Sequence, residues 1–361
     1  MAVKRIGVLT SGGDCPGLNA VIRGVVRAAS RLDWEVIGFL DGYEGILPPV
    51  RFRLLDRQAT AGIMHLGGTI LGTTNKGHFV AKIGHGNKAE LDPAIIQQTK
   101  ETMHDLDIEG LICIGGDGSL STALQLNEHG IPTIGVPKTI DNDIDATAMT
   151  FGFHSAVSCV VDALDRLHTT ARSHKRVMVL EVMGRYAGWI ALHGGLAGGA
   201  DIILIPEIPF DPEAVCEVIR QREADGAFTS MVVCAEGAFP KDGGYTTKDA
   251  QGRIGEAALG GIAERVAKLI ADKTGKETRS VVLGHLQRGG NPTALDRILG
   301  TRFGVAAVEL IEQKKFGYMV SYQNYLIGSV PMAEAVSRLK RVDPQSQMVQ
   351  SCREIGVSFG E

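Results

Sequence analysis

The chain has 361 residues, 37 basic against 41 acidic, for a formal charge of −4, so no basic excess points to nucleic acid or an anionic membrane as partner. Hydrophobic residues make up 44% and charged residues 22%, which excludes a disordered chain, and the length suggests two domains of about 150 residues each. The 46 glycines exceed an average share of about 7%, and aromatics are only 5%, which suits a backbone that approaches a small ligand closely.

The first segment, MAVKRIGVLT, reads as a strand rather than a signal peptide. Short apolar runs then recur at Arg5–Thr10, Glu35–Leu40, Gly110–Ile114, Thr133–Val136, Val177–Val182, Ile202–Ile205, Met231–Ala235 and Ser280–Leu283. Several are unbroken apolar blocks, the pattern of parallel strands covered on both faces. Helical periods separate them: Leu18, Val21, Ile22, Val25, Val26 and Ala29; then Phe153, Ala156, Val157, Val160, Val161, Leu164 and Leu167; then Ile262, Val266, Leu269 and Ile270. Alternation of this kind predicts an α/β fold of two Rossmann-like domains with mainly parallel sheets. The helix beginning near Phe153 is the expected hinge.

Ala187–Pro206 is apolar, but its five glycines, His193 and Asp201 disqualify it as a membrane span. None of the six cysteines forms a CxxC pair, and Cys113 and Cys234 fall in strand-like runs, as buried reduced thiols would. A soluble protein of a reducing compartment, the cytoplasm, is expected. The polar stretch Phe239–Arg253 reads as a surface loop.

Ligands of open α/β sheets bind beyond the carboxyl ends of the strands, so the loops there carry the chemistry. The first is Thr10-Ser11-Gly12-Gly13-Asp14-Cys15-Pro16-Gly17, running directly into a helix. Its glycines and the helix N-terminus suit an anion, although the loop is neither a Walker A sequence nor a dinucleotide fingerprint, and a plain tight turn is the structural alternative. The second, Ile114-Gly115-Gly116-Asp117-Gly118-Ser119, sets a carboxylate among backbone donors, as phosphates bridged by Mg²⁺ require. The third, Pro137-Lys138-Thr139-Ile140-Asp141-Asn142-Asp143, places a lysine and two carboxylates after a buried strand. A carboxylate there could accept a proton from an attacking hydroxyl; a solvated acidic turn is the alternative. Cations gather after the later strands at Arg176, Arg185, Arg279, His285 and Arg288, with Glu236 beside them. Guanidinium forks match phosphate oxygens, and Glu236 suits sugar hydroxyls, whereas any one arginine alone reads as a surface ion-pair residue. Arg23 and Arg27, four apart on the first helix, read by spacing as a solvated face. His65, His78, His104, His129 and His193 have no assigned role.

Together SGGDCPGLNAVIRG, IGGDGS, PKTIDNDI, EVMGRYAG and ETRSVVLGHLQRGGNP, in this order from near the N-terminus to beyond residue 290, resemble the phosphofructokinase family. The resemblance implies transfer of a phosphoryl group to the 1-hydroxyl of fructose 6-phosphate in glycolysis. It implies a donor domain over 1–152 plus 287–337 and a sugar-phosphate domain over 153–286 plus 338–361. Asp141 becomes the catalytic base, with Thr139, Lys138 and Gly118 around the transferred group. Asp117 becomes the Mg²⁺ ligand, and Gly13, Asn75, Lys76, Gly116, Asp117, Gly118 and Ser119 the donor contacts. Thr139, Ile140, Asp141, Met183, Gly184, Arg185, Glu236, His285, Leu286, Gln287 and Arg288 become sugar-phosphate contacts. Arg176 and Arg279 are expected to serve a neighbouring subunit in a homotetramer.

Three departures from the bacterial ATP enzymes follow from the same resemblance. Asn75 stands in the Leu71–Lys76 loop where those enzymes place an arginine. Gly118 leaves room for a nucleotide's α-phosphate, whereas Lys138 is like the pyrophosphate-using members. A carboxylate facing a polyanion excludes it, while a lysine can move aside on its flexible stem, so ATP is the expected donor and pyrophosphate the alternative. Arg23, Arg27 and Arg57 match effector-binding residues, but Ala224–Phe228 lacks the lysines expected near them and His168 replaces an arginine. A non-catalytic sugar-phosphate sensor and a nicotinamide-dependent dehydrogenase are the readings from other classes. The first is opposed by Asp141, Asp117 and Thr139 together, the second by the missing fingerprint.

Overall fold

The computed structural model describes residues 4–74, 76–79, 82–83, 87–88, 90–244 and 259–361. In chain order the elements are β1 (Arg5–Thr10), α1 (Leu18–Ala29), β2 (Glu35–Phe39), β3 (Phe52–Leu55), β4 (Lys82–Ile83), β5 (Asn87–Lys88), α2 (Pro93–Asp105), β6 (Ile108–Gly115), α3 (Asp117–Glu128), β7 (Thr133–Thr139) and β8 (Phe151–Gly152). There follow α4 (Phe153–His174), β9 (Val177–Val182), α5 (Trp189–Ala197), β10 (Ile202–Leu204), α6 (Pro212–Ala224), β11 (Ser230–Ala235), α7 (Ile262–Thr274) and β12 (Thr278–Val282). The last are α8 (Ala294–Glu312), β13 (Tyr318–Gln323), β14 (Leu326–Pro331), α9 (Met332–Ala335) and α10 (Gln347–Glu354). No helix among the described residues is long and apolar enough to cross a membrane.

Two compact units divide the chain. The first is made of residues 1–140, 144–155 and 288–339, the second of 141–143, 156–287 and 340–361. In the first, an eight-stranded sheet runs β14-β13-β7-β6-β1-β2-β3, with β8 beside β7. Its centre is parallel, and antiparallel strands close both edges, β3 on β2 and β14 on β13. The core gathers Leu9, Ile37, Phe39, Leu111, Cys113, Leu120, Ile131 and Met319. Helices α1 and α8 touch through glycines: a Cβ on Gly24 would lie 2.6 Å from the Thr301 carbonyl oxygen, and one on Gly304 would lie 2.3 Å from that of Val21.

The second unit is a parallel sheet of order β10-β11-β9-β12, and its core joins Val179, Leu204, Ile219, Val232, Cys234 and Val266. The register sets Cys234 and Val282 opposite Glu181 on either side. One expectation changes here. The apolar run around Ser280–Leu283 reads as a covered strand, yet β12 is an edge strand with Val282 47% exposed. Edge position alone is not the cause, since β10 at the other edge is fully buried; side chains point to the sheet faces, and among the described residues β12 lacks cover there.

Cys113 and Cys234 are fully buried, as expected, and burial pushes the thiols of Cys15 and Cys113 up to about 12. Desolvation of the thiolate keeps such groups protonated and unreactive.

Candidate active site

In the first unit, the loop after β1 meets the 69–74 segment, and the two are closed together by hydrogen bonds. Gly12 N donates to the Thr74 carbonyl at 3.0 Å, and Thr73 Oγ1 returns a bond to the Gly12 carbonyl at 2.6 Å. Thr10 Oγ1 reaches the Gly72 carbonyl at 2.7 Å. Asn19, only 1% exposed in the first turns of α1, donates to the Leu66 and Gly67 carbonyls and accepts from Ile70 N at 2.9 Å. Sequence reasoning gave Asn19 no role. The available signal was an amide on an otherwise apolar helix face, between Leu18 and Val21.

The GGDG stretch is not a loop. Gly116 is the N-cap of α3, and Asp117, Gly118 and Ser119 form its first turn. The backbone N–H groups of a helix's first turn and the positive end of its dipole are what a phosphate needs. The Ser119 hydroxyl donates to Ser11 Oγ at 3.0 Å, tying the two glycine-rich segments together, and the buried Tyr43 hydroxyl donates to the Ser119 carbonyl at 2.7 Å. A Cβ on Gly118 would meet nothing within 4 Å, so this position faces open space.

Lys138, 4% exposed on β7, extends its ammonium onto the Gly13 carbonyl. Arg288 joins the same loop: Nη1 donates to the Asp14 carbonyl at 3.2 Å, and a Cβ on Gly13 would lie 2.8 Å from it. Thus Gly13, Gly116, Asp117, Gly118, Ser119 and Lys138 converge in the first unit, and Arg288, expected as a sugar-phosphate contact, meets the same loop. Thr139 ends β7, half-buried, with its carbonyl accepting from Thr150 Oγ1 at 2.7 Å, and Ile140 after it is buried. Lys76 is exposed, and Asn75 lies outside the described residues, as does most of the 239–253 stretch.

Asp296, fully buried on α8, gathers four donors: Gly152 N (3.0 Å), Ser155 N (2.7 Å), Ser155 Oγ (2.6 Å) and Thr293 Oγ1 (3.4 Å). It holds the start of α4 from a distant helix. Burial raises its carboxyl pKa, and the Ser155 and Gly152 donors work against that rise.

In the second unit the ligand-type side chains leave the carboxyl ends of adjacent strands. Glu236 N donates to the Val182 carbonyl at 2.8 Å, and Leu283 N to that of Glu181 at 3.1 Å, so the segments after β9, β11 and β12 begin at one level. Gly184 has φ 129, with the Ala187 carbonyl 2.8 Å from where a Cβ would be; a Cβ on Gly237 would strike the Arg185 carbonyl at 1.9 Å. These glycines let the Met183–Arg185 and Glu236–Gly237 segments touch. Met183 is nearly buried, Arg185 lies 5.8 Å from the Tyr186 ring, and His285 and Leu286 are exposed. Gln287 is 1% exposed: its Oε1 accepts from Met183 N at 3.2 Å and its Nε2 donates to the Gly284 carbonyl at 3.1 Å, so both ends of the amide face the scaffold.

Arg176 and Arg279 both pair with Glu277 at 2.6 Å, which holds the two guanidinium groups near each other. Asp141 and Asp143 are half-buried, and Asn142 between them is buried in left-handed backbone at φ 52.

Two helix starts in this unit are secured from a distance. Glu181, 2% exposed, accepts from Gly261 N and Ala263 N at 3.0 Å and so caps α7. Glu207 accepts from Gly188 N, the start of α5, at 3.0 Å and from Val342 N at 2.9 Å. By contrast, α6 is capped locally, by Asp211 accepting from Glu213 N at 2.7 Å, as α2 is by Asp92 accepting from Ala94 N at 2.8 Å.

Among the described residues no three His, Cys, Asp or Glu side chains converge as a cage for a metal ion. The half-exposed carboxylate of Asp117, beside the open space at Gly118, instead fits an ion such as Mg²⁺ that keeps most of its shell for water and donor phosphates.

Comparison with known proteins gives a concordant picture. A family model described as "Phosphofructokinase" matches residues 5–311. A curated ATP-dependent 6-phosphofructokinase of Chloroflexus aggregans is 51% identical over 358 residues, covering 99% of this chain and 98% of the relative. A pyrophosphate–fructose 6-phosphate 1-phosphotransferase of Streptomyces coelicolor is 48% identical over 359 residues, covering 99% of this chain and all of the relative. Among solved structures, the T-state phosphofructokinase of Pichia pastoris superposes with a TM-score of 0.81 at 29% identity, over 99% of this chain and 37% of that longer one. The pyrophosphate-dependent enzyme of Marinobacter aquaeolei gives 0.79 at 25% identity, over 99% of this chain and 92% of that one.

Proposed function

The chain belongs to the phosphofructokinase family, and we propose that it transfers the terminal phosphoryl group of ATP to the 1-hydroxyl of fructose 6-phosphate. The products are fructose 1,6-bisphosphate and ADP. The observation that carries the choice of donor is the pairing of an open Gly118 with a Lys138 drawn onto the Gly13 carbonyl. Room for an α-phosphate exists at Gly118, and the lysine that would replace that phosphate is engaged with the scaffold.

The donor's phosphates lie against the N–H groups at the start of α3, where the helix dipole favours negative charge, and against Gly13. When bound, Mg²⁺ at Asp117 neutralises charge on the donor phosphates. Asp141 accepts the proton of the 1-hydroxyl as its oxygen attacks the terminal phosphorus and the bond to the ADP oxygen breaks; Thr139 faces the moving group. Arg185, Glu236 and His285 hold the sugar phosphate, with Met183 and Gly184 shaping the pocket and Gln287 fixing Met183. Arg176 and Arg279 reach a neighbouring subunit's site in a homotetramer; β12, which carries Arg279 and ends its sheet among the described residues with Val282 47% exposed, supports that assembly.

The second reading, a pyrophosphate-dependent phosphotransferase, is favoured by Lys138 and by the name of the Streptomyces relative. Product formation from fructose 6-phosphate and Mg²⁺, with ATP and pyrophosphate supplied in parallel, decides between them. Activity with ATP alone is expected; activity with pyrophosphate alone reverses the assignment of donor.

A further inference from the structure

The turn that carries Asp141 is gripped by a residue nearly 200 positions away. Asn142 is 4% exposed and holds a left-handed φ of 52. Asparagine adopts this left-handed region more readily than most residues, and here its surroundings hold it there. Here the determinant is Lys340. Its Nζ donates to Asn142 Oδ1 at 3.0 Å, and its backbone N–H donates to the Asp143 carbonyl at 2.8 Å. Lys340 is fixed in turn by Trp189, whose indole Nε1 donates to the Lys340 carbonyl at 2.9 Å and whose ring lies 5.7 Å from the ammonium. A charged donor on an amide oxygen in a half-buried setting is a stronger tether than a neutral pair.

We propose that Lys340 is a positioning residue for phosphoryl transfer: through the Asn142 amide it fixes the backbone on which the Asp141 carboxylate is presented, and Trp189 fixes Lys340. The inference rests on the reading of Asp141 as base. It concerns where that carboxylate stands, and displacement of a reacting group by about 1 Å can cost about 10²-fold in rate.

The test uses the full-length enzyme with fructose 6-phosphate, ATP and Mg²⁺. Lys340→Met removes the ammonium but leaves the backbone bond to Asp143; Asn142→Gly removes the acceptor while tolerating the left-handed φ. Each is expected to lower kcat about 10- to 100-fold, with KM for both substrates within about twofold. The double variant should be no slower than the slower single one, because both remove the same link. A kcat within about twofold of the parent for Lys340→Met, losses that multiply in the double variant, or a raised fructose 6-phosphate KM at intact kcat overturns the proposal. Asp141→Asn, measured alongside, separates the two levels: if it keeps turnover, the base assignment fails instead. Should Lys340→Met not fold, Trp189→Phe keeps a ring and loses only the indole donor. A several-fold lower kcat at an unchanged melting temperature then supports the proposal, and an unchanged kcat counts against it.

Discussion

The two proposed sets of ligand contacts, one in each unit, are built from different material. In the first unit the donor side is mostly backbone: N–H groups at a helix start, carbonyls tied by threonine hydroxyls, and glycines that admit close approach. In the second unit the acceptor side is side chains on adjacent strand ends, with buried glutamates and Gln287 holding the frame. A backbone site is damaged by adding atoms, whereas a side-chain site is damaged by removing them.

The sharpest test of that contrast is Asp141→Asn, which alters one oxygen of the acceptor side. Turnover should fall at least about 10²–10⁴-fold, with fructose 6-phosphate binding retained by calorimetry. On the donor side the matching change adds atoms. Gly118→Asp sets a carboxylate where a polyanion must lie, and like-charge juxtaposition of several kcal/mol should lower kcat/KM for ATP by at least about 10²-fold, measured beside pyrophosphate as donor. Adding a methyl in the scaffold alone should leave chemistry intact: Gly24→Ala crowds the Thr301 carbonyl and should cost about 1–3 kcal/mol in chemical denaturation. A smaller effect is expected from Thr73→Val, which loses the bond to the Gly12 carbonyl. About 1 kcal/mol, or fivefold, should appear in KM for ATP, with KM for fructose 6-phosphate unchanged.

The smallest effect is one of pH. Burial raises the Glu207 pKa above its ordinary 4.5, and the Val342 and Gly188 donors only partly offset it. The folded chain therefore holds this proton more tightly than the unfolded chain. The stability Glu207 contributes is greatest below 4.5 and declines as pH rises toward the raised value, then levels off. Denaturation midpoints of parent and Glu207→Gln, followed upward from pH 4, should diverge in that direction; a difference that stays flat breaks the account.

Much of this was legible in the sequence. The unbroken apolar runs give parallel strands, and the glycine-rich segments after β1 and β6 meet in the first unit, where glycine admits close contacts. Charged residues gather at strand ends in the second unit, and the donor and acceptor roles of the two groups are the proposal. The remainder depended on partners remote in sequence. Asn19 reads as one polar residue on a helix until the 66–70 segment is folded against it. Lys340 and Trp189 have no motif at all. Gln287 sits inside a motif, where a ligand and a scaffold residue look alike. The exposure of β12 was hidden because an apolar pattern does not say whether its cover comes from the same chain.

The capping of α5 and α7 bears on the order in which the second unit assembles. Helices α2 and α6 carry their own aspartate caps two residues from the donors they satisfy, so these starts can form while the chain is still open. Helix α7 obtains its cap from Glu181, about 80 residues earlier, and α5 from Glu207, beyond its own C-terminal end. Their first turns stay unsatisfied until β9 and the segment after β10 are in place, which makes them late, long-range events on the folding path. Native-state hydrogen exchange should find the amides of Gly188, Gly261 and Ala263 opening together with the sheet rather than with their own helices.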